Sequence, residues 1–364
     1  MNARLESAKL ENEGLEGVVA AQTVLSHADG ERGIVWVRGH EIGELVARHG
    51  FEGTIALLWD GFAWEGLTRE DICLLLGGDR ALAFSRLNEW LPAAADRPLI
   101  EGVRIALAAL PEDSLPPTIA ATLPVAIAAL LRVRDGKRPV PPDQSLTTAA
   151  DFLRMVNATA VEERFVAALD AYLTTVIDNG LGTSTFAARV IISTRASLVS
   201  AVVGAYGAFT GALHGGAPGL ALDMLDDIAA SGDIDGWLDR TLAAGGRLMG
   251  FGHRVFRVRD PRADLLRAAL QRLDPGSQRL AFAQDVERRA LAALQRRKPG
   301  RRLEANIEMD AALLLDAIGL PRDAFTPVFA IARAPAWIAH ALEQQRTGRM
   351  IRPASSYIGP SPNS

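Results

Sequence analysis

The sequence predicts a mainly α-helical protein with a short β hairpin or sheet near its N-terminus. Three observations carry that prediction. Apolar residues recur at helical spacing through most of the chain, as in Ile42, Leu45 and Val46, in Ile55, Leu57 and Leu58, and in Ile72, Leu75 and Leu76. Alanine-rich runs at residues 105–110 and 119–131 reinforce the pattern, because alanine is the residue that costs least in a helix. Strand character is confined to residues 15–38, where Val18-Val19 and Ile34-Val35-Trp36-Val37 flank the turn-like Asp29-Gly30-Glu31-Arg32-Gly33.

Taken in order, residues 133–145, with Gly136, Pro139, Pro141 and Pro142, read as a loop between helices of similar composition rather than as a domain linker. Residues 152–177 read as helical. The cluster from Asp178 to Thr185 then forms a turn feeding a helix from about Phe186, with Ser184 or Thr185 as N-cap. Residues 197–209 form the next helix, ended by Gly211. Pro218 suits a first helical turn, and Leu220, Leu222, Met224, Leu225 and Ile228 continue its apolar stripe. Asp260 as N-cap and Pro261 at the first helical position start a helix running to about Leu273, with Arg262 in its first turn.

The 364 residues suffice for two domains, and 49% hydrophobic content suits a soluble helical protein. A net charge of −4 offers no basic excess to follow nucleic-acid phosphates. One cysteine, Cys73, excludes an internal disulfide framework and fits a reducing compartment. Charged residues interrupt the first fourteen positions, so no signal peptide is expected and the chain reads as cytoplasmic. Two uncharged stretches, 115–131 and 196–222, are broken by prolines or by glycines and His214; both read as buried helices rather than membrane spans.

The chemistry concentrates between Gly211 and Arg262. His214, in Gly-Ala-Leu-His-Gly-Gly-Ala-Pro, and His253, in Met-Gly-Phe-Gly-His-Arg-Val, are each flanked by glycines, which let backbone approach a ligand closely. Arg262 opposes the dipole of its helix, so it is either an exposed, tolerated charge or a guanidinium that faces one anion together with the free N–H groups of that helix end. His27, His40, His49 and His340 lack such settings and read as surface or packing residues. No Cys-x-x-Cys or ligand-spaced histidines point to a metal site.

These segments resemble the citrate synthase family. Gly-Ala-Leu-His-Gly-Gly-Ala is similar to the stretch around the family's first catalytic histidine, and Met-Gly-Phe-Gly-His-Arg-Val with Asp-Pro-Arg-Ala to the second. Gly-Leu-Glu-Gly-Val-Val-Ala-Ala, Ser-Thr-Phe-Ala-Ala-Arg, Phe-Thr-Pro-Val-Phe-Ala-Ile-Ala-Arg and Ile-Arg-Pro resemble further segments in the family's order. The resemblance implies a citrate synthase-like fold, with residues 1–214 and 315–364 as a large helical domain and 215–314 as a small one. It also implies a homodimer that condenses acetyl-CoA with oxaloacetate, using CoA thioester as substrate and no further cofactor.

By that resemblance His214 stabilises the enolate of the thioester and His253 the ketone oxygen of oxaloacetate. The base falls on Glu308, in Asn306-Ile307-Glu308-Met309, where the family usually has aspartate; Asp310 is out of register and expected to face elsewhere. Arg262, Arg333 and Arg352 match the family's carboxylate-binding arginines, the last typically supplied by the partner subunit. Asn179 stands where many relatives have a substrate-holding histidine, and Ala354 where many have a further arginine. Arg247 and Arg254 are candidates for CoA phosphates. The group Arg296, Arg297, Lys298, Arg301 and Arg302 reads equally as a solvated helix end. Two alternatives stay open: a 2-methylcitrate synthase using propionyl-CoA, and a catalytically weakened paralogue that binds CoA thioesters or dicarboxylates.

Overall fold

The computed structural model describes residues 14–360 apart from 16, 213, 216, 253–255, 257, 298–302, 356 and 358. Helices dominate, and the three short strands β1 (Ser26–Asp29), β2 (Ile34–Val37) and β3 (His40–Glu41) form one antiparallel sheet in that order.

The first strand lies nearer the turn than the sequence suggested. Asp29 accepts the amides of Glu31 and Arg32 on its side chain and that of Gly33 on its carbonyl, and Gly33 adopts φ 66°. That tight turn pairs Asp29 with Ile34 and Ser26 with Val37, so the mostly polar segment Ser26 to Asp29 becomes the strand. Val18 and Val19, expected in that role, lie exposed outside the sheet. Val35 and Val37 point into the core, and Trp36 stacks on His27 across the ladder.

The core is organised around the helices Pro116–Arg134 and Phe325–Thr347, which pack on each other; Thr183–Ser193 and Leu198–Phe209 also pack against the second. Among the described residues, Pro116–Arg134 is the one helix long and apolar enough to cross a membrane, and it is largely buried inside this bundle. The region 152–177 divides into Thr148–Asn157 and Glu163–Thr175, because Ala158 takes a left-handed conformation that ends the first helix.

The loop at 133–147 is held by charge inside the bundle. Buried Arg80 gives Nε–H to Asp151 (2.7 Å) and Nη2–H to the carbonyls of Leu146 (2.6 Å) and Asp143 (3.3 Å). A buried guanidinium needs such complete pairing to offset its desolvation. The loop then presses on helix Arg69–Ser85 so closely that a Cβ at Gly77 would lie 2.2 Å from the carbonyl oxygen of Gln144.

Candidate active site

Helix Thr183–Ser193 begins three residues earlier than the sequence suggested, with Gly182 as its N-cap. Gly180, at φ 69°, turns the chain one step sooner, and its carbonyl accepts the amide of Gly182. Ser184 and Thr185 therefore lie buried within the first helical turn, not at the cap. This shift frees the Ser184 hydroxyl for the site.

The indole Nε1–H of Trp337 donates to Ser184 Oγ (3.1 Å), and Ser184 Oγ lies 2.9 Å from His214 Nε2. With its oxygen accepting from the indole, the hydroxyl has its own proton to give to Nε2, an arrangement that pairs with the tautomer carrying hydrogen on Nδ1. Phe209 packs edge-on against the ring at 5.0 Å. Burial, helped by the positive charge of Arg333, pushes His214 down to about 4, which makes it a neutral hydrogen-bond donor at pH 7. The Gly215 amide is bonded to the Phe209 carbonyl, and a Cβ on Gly215 would come within 2.7 Å of that oxygen, so the glycine after His214 is sterically required.

A buried polar chain fixes the loop opposite. Arg189 pairs with Glu343 and donates to Gln344 and to His340 Nδ1, which leaves Nε2–H of His340 to donate to Asp178 (2.9 Å). Asp178 also accepts from Ser26 Oγ (2.6 Å) and from the Asn179 amide (2.8 Å). Burial pushes the Asp178 carboxyl up, but His340, Arg333 and Ser26 outweigh it and hold the group below the usual carboxylate range. His340 is thus part of the site's frame rather than an ordinary packing residue. Asn179 is half-buried, and its Oδ1 has no hydrogen-bond partner among the described residues.

Arg333 is buried, donates Nε–H to the carbonyl of Val176 (2.7 Å) and lies over Phe329. Burial pushes its guanidinium down to about 10, with Asp178 opposing the shift and Arg262 adding to it. Arg262 is equally buried, not a solvated charge. Its Nε and Nη2 reach the two oxygens of Asp260 at 3.0 and 2.8 Å, and Asp260 caps the same helix, Pro261–Leu273, through the Arg262 amide. Two buried guanidiniums close enough for Arg262 to depress Arg333 concentrate positive charge suited to an anionic ligand.

Glu308 enters from helix Ile307–Ile318. Asn306 caps that helix by accepting the Glu308 amide (2.9 Å), and its Nδ2 donates to the carbonyl of Gly252 (3.0 Å). An antiparallel bridge between Phe251 and Ala305 ties the two segments together, and the Gly250 amide reaches Glu308 Oε2 at 3.2 Å. Burial pushes the Glu308 carboxyl up, Asp260 adding to the effect; Gly250, Asn306 and Arg247 oppose it. Asp260 thus links Glu308 electrically to the arginine pair. Asp310, by contrast, is bound on both oxygens by Arg267 at 2.9 and 3.0 Å, so it faces away from the site.

His214, Asn179, Arg262, Arg333 and Glu308 are therefore joined through shared or neighbouring partners. Arg247 is exposed beside Glu308. Arg352 lies exposed on the C-terminal segment, and no described contact links it to the others. Arg296 and Arg297 are exposed at a helix end, the latter bonded to the Asp239 carbonyl. His253, Arg254, Lys298, Arg301 and Arg302 lie outside the described residues. Sequence reasoning missed Ser184, Trp337 and His340. The signal available was spacing: Arg333, Trp337, His340 and Gln344 form one stripe at i, i+4, i+7 and i+11 on an otherwise apolar helix.

Residues 14–354 match the family described as citrate synthase, C-terminal domain. A putative citrate synthase 2 of Mycobacterium tuberculosis is 37% identical over 360 residues, covering 96% of this chain and 94% of that protein. A citrate/2-methylcitrate synthase of Bacillus subtilis is 32% identical over 368 residues, covering 95% and 96%. The crystal structure of citrate synthase from Thermotoga maritima superposes with a TM-score of 0.85 at 29% identity, covering 96% of each chain.

Proposed function

Since the chain belongs to the citrate synthase family, we propose that it joins acetyl-CoA to oxaloacetate, releasing citrate and CoA, with Glu308, His214 and His253 as its catalytic residues. The observation that carries this reading is the Trp337–Ser184–His214 chain, which holds a neutral imidazole in the site; in the proposed tautomer Ser184 donates to Nε2 and Nδ1–H is the donor to substrate. A thioester methyl is a weak carbon acid, so its deprotonation requires a carboxylate base and a donor for the developing enolate oxygen.

In this scheme Glu308 takes a methyl proton while His214 Nδ1–H bonds the thioester oxygen. The raised affinity of Glu308 for protons brings it nearer the strength this abstraction needs. The enolate carbon attacks the ketone carbon of oxaloacetate, and His253 supplies a proton to the ketone oxygen as the C–C bond forms. Water then cleaves the bound citryl thioester, giving citrate and the free thiol. Arg262 and Arg333 receive the oxaloacetate carboxylates, joined by Arg352 from the other subunit of a homodimer. Turning the Asn179 amide over would replace its partnerless oxygen by Nδ2–H, which can donate to a substrate oxygen. Residues 215–314 act as a small domain closing on 1–214 and 315–364, excluding water during the carbanion step. Arg247 and Arg254 are the cations assigned to the CoA phosphates, and no cofactor beyond the thioester substrate is needed.

The second reading, a 2-methylcitrate synthase, is favoured by the name of the Bacillus subtilis relative. One added methyl changes discrimination by only about 1–3 kcal/mol. Thiol release from acetyl-CoA and from propionyl-CoA, each with and without oxaloacetate, separates the readings. Faster oxaloacetate-dependent release from acetyl-CoA is expected; faster release from propionyl-CoA selects the alternative. Oxaloacetate binding without thiol release from either leaves a ligand-binding paralogue.

A further inference from the structure

We propose that His40, Glu44 and His49 form a binding site for a divalent transition-metal ion, with Zn2+ as the ion of matching chemistry. The three residues lie outside the site described above: His40 opens β3, Glu44 ends the short helix that follows it, and His49 ends the next turn. The backbone there is unusual. Helix Ile42–Glu44 widens into a π-helical turn, Leu45–His49, closed by the Gly50 amide on the Leu45 carbonyl. In an α-helix, residues five apart point about 140° away from each other. The wider π-turn, with its i→i+5 bonding, brings residue i+5 back over residue i, so His49 returns to the face of Glu44. This explains why the spacing His-x3-Glu-x4-His did not read as a ligand set in the sequence.

The resulting geometry is that of a partly assembled coordination shell. His40 Nδ1 lies 3.3 Å from Glu44 Oε2. The two imidazole rings are 5.2 Å apart and tilted by 58°, and one donor atom from each of the three residues lies within 4.8 Å of the others. Tetrahedral zinc, with bonds of about 2.0–2.1 Å, places its ligand atoms roughly 3.3–3.4 Å apart. The His40–Glu44 edge already has that length, and the remaining edges need only side-chain torsions to reach it. Arg48 Nη1 stands 3.6 Å from the other oxygen of Glu44, which leaves Oε2 for the imidazole side.

All three side chains are half-buried, so a metal ion can enter while its ligands stay confined. Two imidazoles and one carboxylate favour zinc and its first-row neighbours over magnesium or calcium, and three protein ligands leave one position for water. An ion there ties β3 to the start of the next helix, Gly50–Trp59, and stabilises the folded chain by mass action.

The test uses the full-length protein stripped with a chelator, then titrated with zinc chloride by calorimetry and with cobalt chloride by visible absorption. One equivalent of Zn2+ is expected to bind and to raise the unfolding temperature, and Co2+ to give the intense bands of four-coordination. Loss of a mere supporting partner typically weakens a metal site ten- to a hundredfold, so His49→Ala and Glu44→Gln are each expected to weaken binding by about a hundredfold or more. Their unfolding temperatures in chelator should match the wild type. Retention of the one-equivalent binding in both variants, or the absence of any Zn2+-induced stabilisation in the wild type, overturns the proposal.

Discussion

Replacing Ser184 by alanine tests the role of the hydroxyl between Trp337 and His214. The hydroxyl accepts from the indole at 3.1 Å and lies 2.9 Å from the imidazole Nε2, to which it donates in the proposed tautomer, so Ser184→Ala strands a buried N–H and a half-buried ring nitrogen. Each unmatched buried group costs about 1–3 kcal/mol, and His214 is open enough for water to replace part of its loss. A stability decrease of about 2–3 kcal/mol is therefore expected. The catalytic effect is separate. Without the serine donor nothing holds the imidazole hydrogen on Nδ1, and a neutral hydrogen bond is worth about 1–1.5 kcal/mol, or roughly tenfold in rate. Steady-state thiol release should show kcat reduced about tenfold with KM for oxaloacetate nearly unchanged, below the unfolding temperature of the variant. An unchanged kcat beside the stability loss would refute the reasoning, because Ser184 would then serve only packing.

Two further predictions concern stability. Asp170 is pushed up to about 6, by burial first and by Glu52 second, against the Phe51 amide and Arg69. Its folded value exceeds its ordinary 3.8, so the stability it contributes is full below that value and lost as pH rises through about 6. Asp170→Asn removes that loss; it should gain about 2–3 kcal/mol relative to wild type on going from pH 4 to pH 8 in urea unfolding, and a pH-independent difference would contradict the assignment. Gly77→Ala would ordinarily favour a helix by about 1 kcal/mol. With the Gln144 carbonyl 2.2 Å from the new Cβ, the expected result reverses to a loss of about 1–3 kcal/mol, and a stabilised variant would refute the close loop contact.

The helical character was legible because burial imposes its period directly on residues such as Ile72 and Leu76, both in the core. Asp260 and Pro261 announced their helix for an equally local reason: the cap is made by adjacent residues. What stayed hidden depended on distant partners or on uncommon backbone. Ser26 to Asp29 became a strand because the turn fixes its register, not because polar residues favour one. His340 gained its place through Arg189 and Asp178, which lie 151 and 162 residues away in sequence. The π-turn at Leu45–His49 leaves no mark in apolar periodicity, so the convergence of His40, Glu44 and His49 emerges only in three dimensions. Asp310 was separated from Glu308 by register alone, and its capture by Arg267 supplies the physical reason.

The most direct measurement is oxaloacetate-dependent thiol release from acetyl-CoA by wild type beside Glu308→Gln, which keeps the acceptor for the Gly250 amide but removes the base. General-base catalysis contributes about 10²–10⁴-fold, so kcat is expected to fall by that factor while oxaloacetate binding persists. Activity of Glu308→Gln within a few-fold of wild type would contradict the assignment of Glu308 as the base.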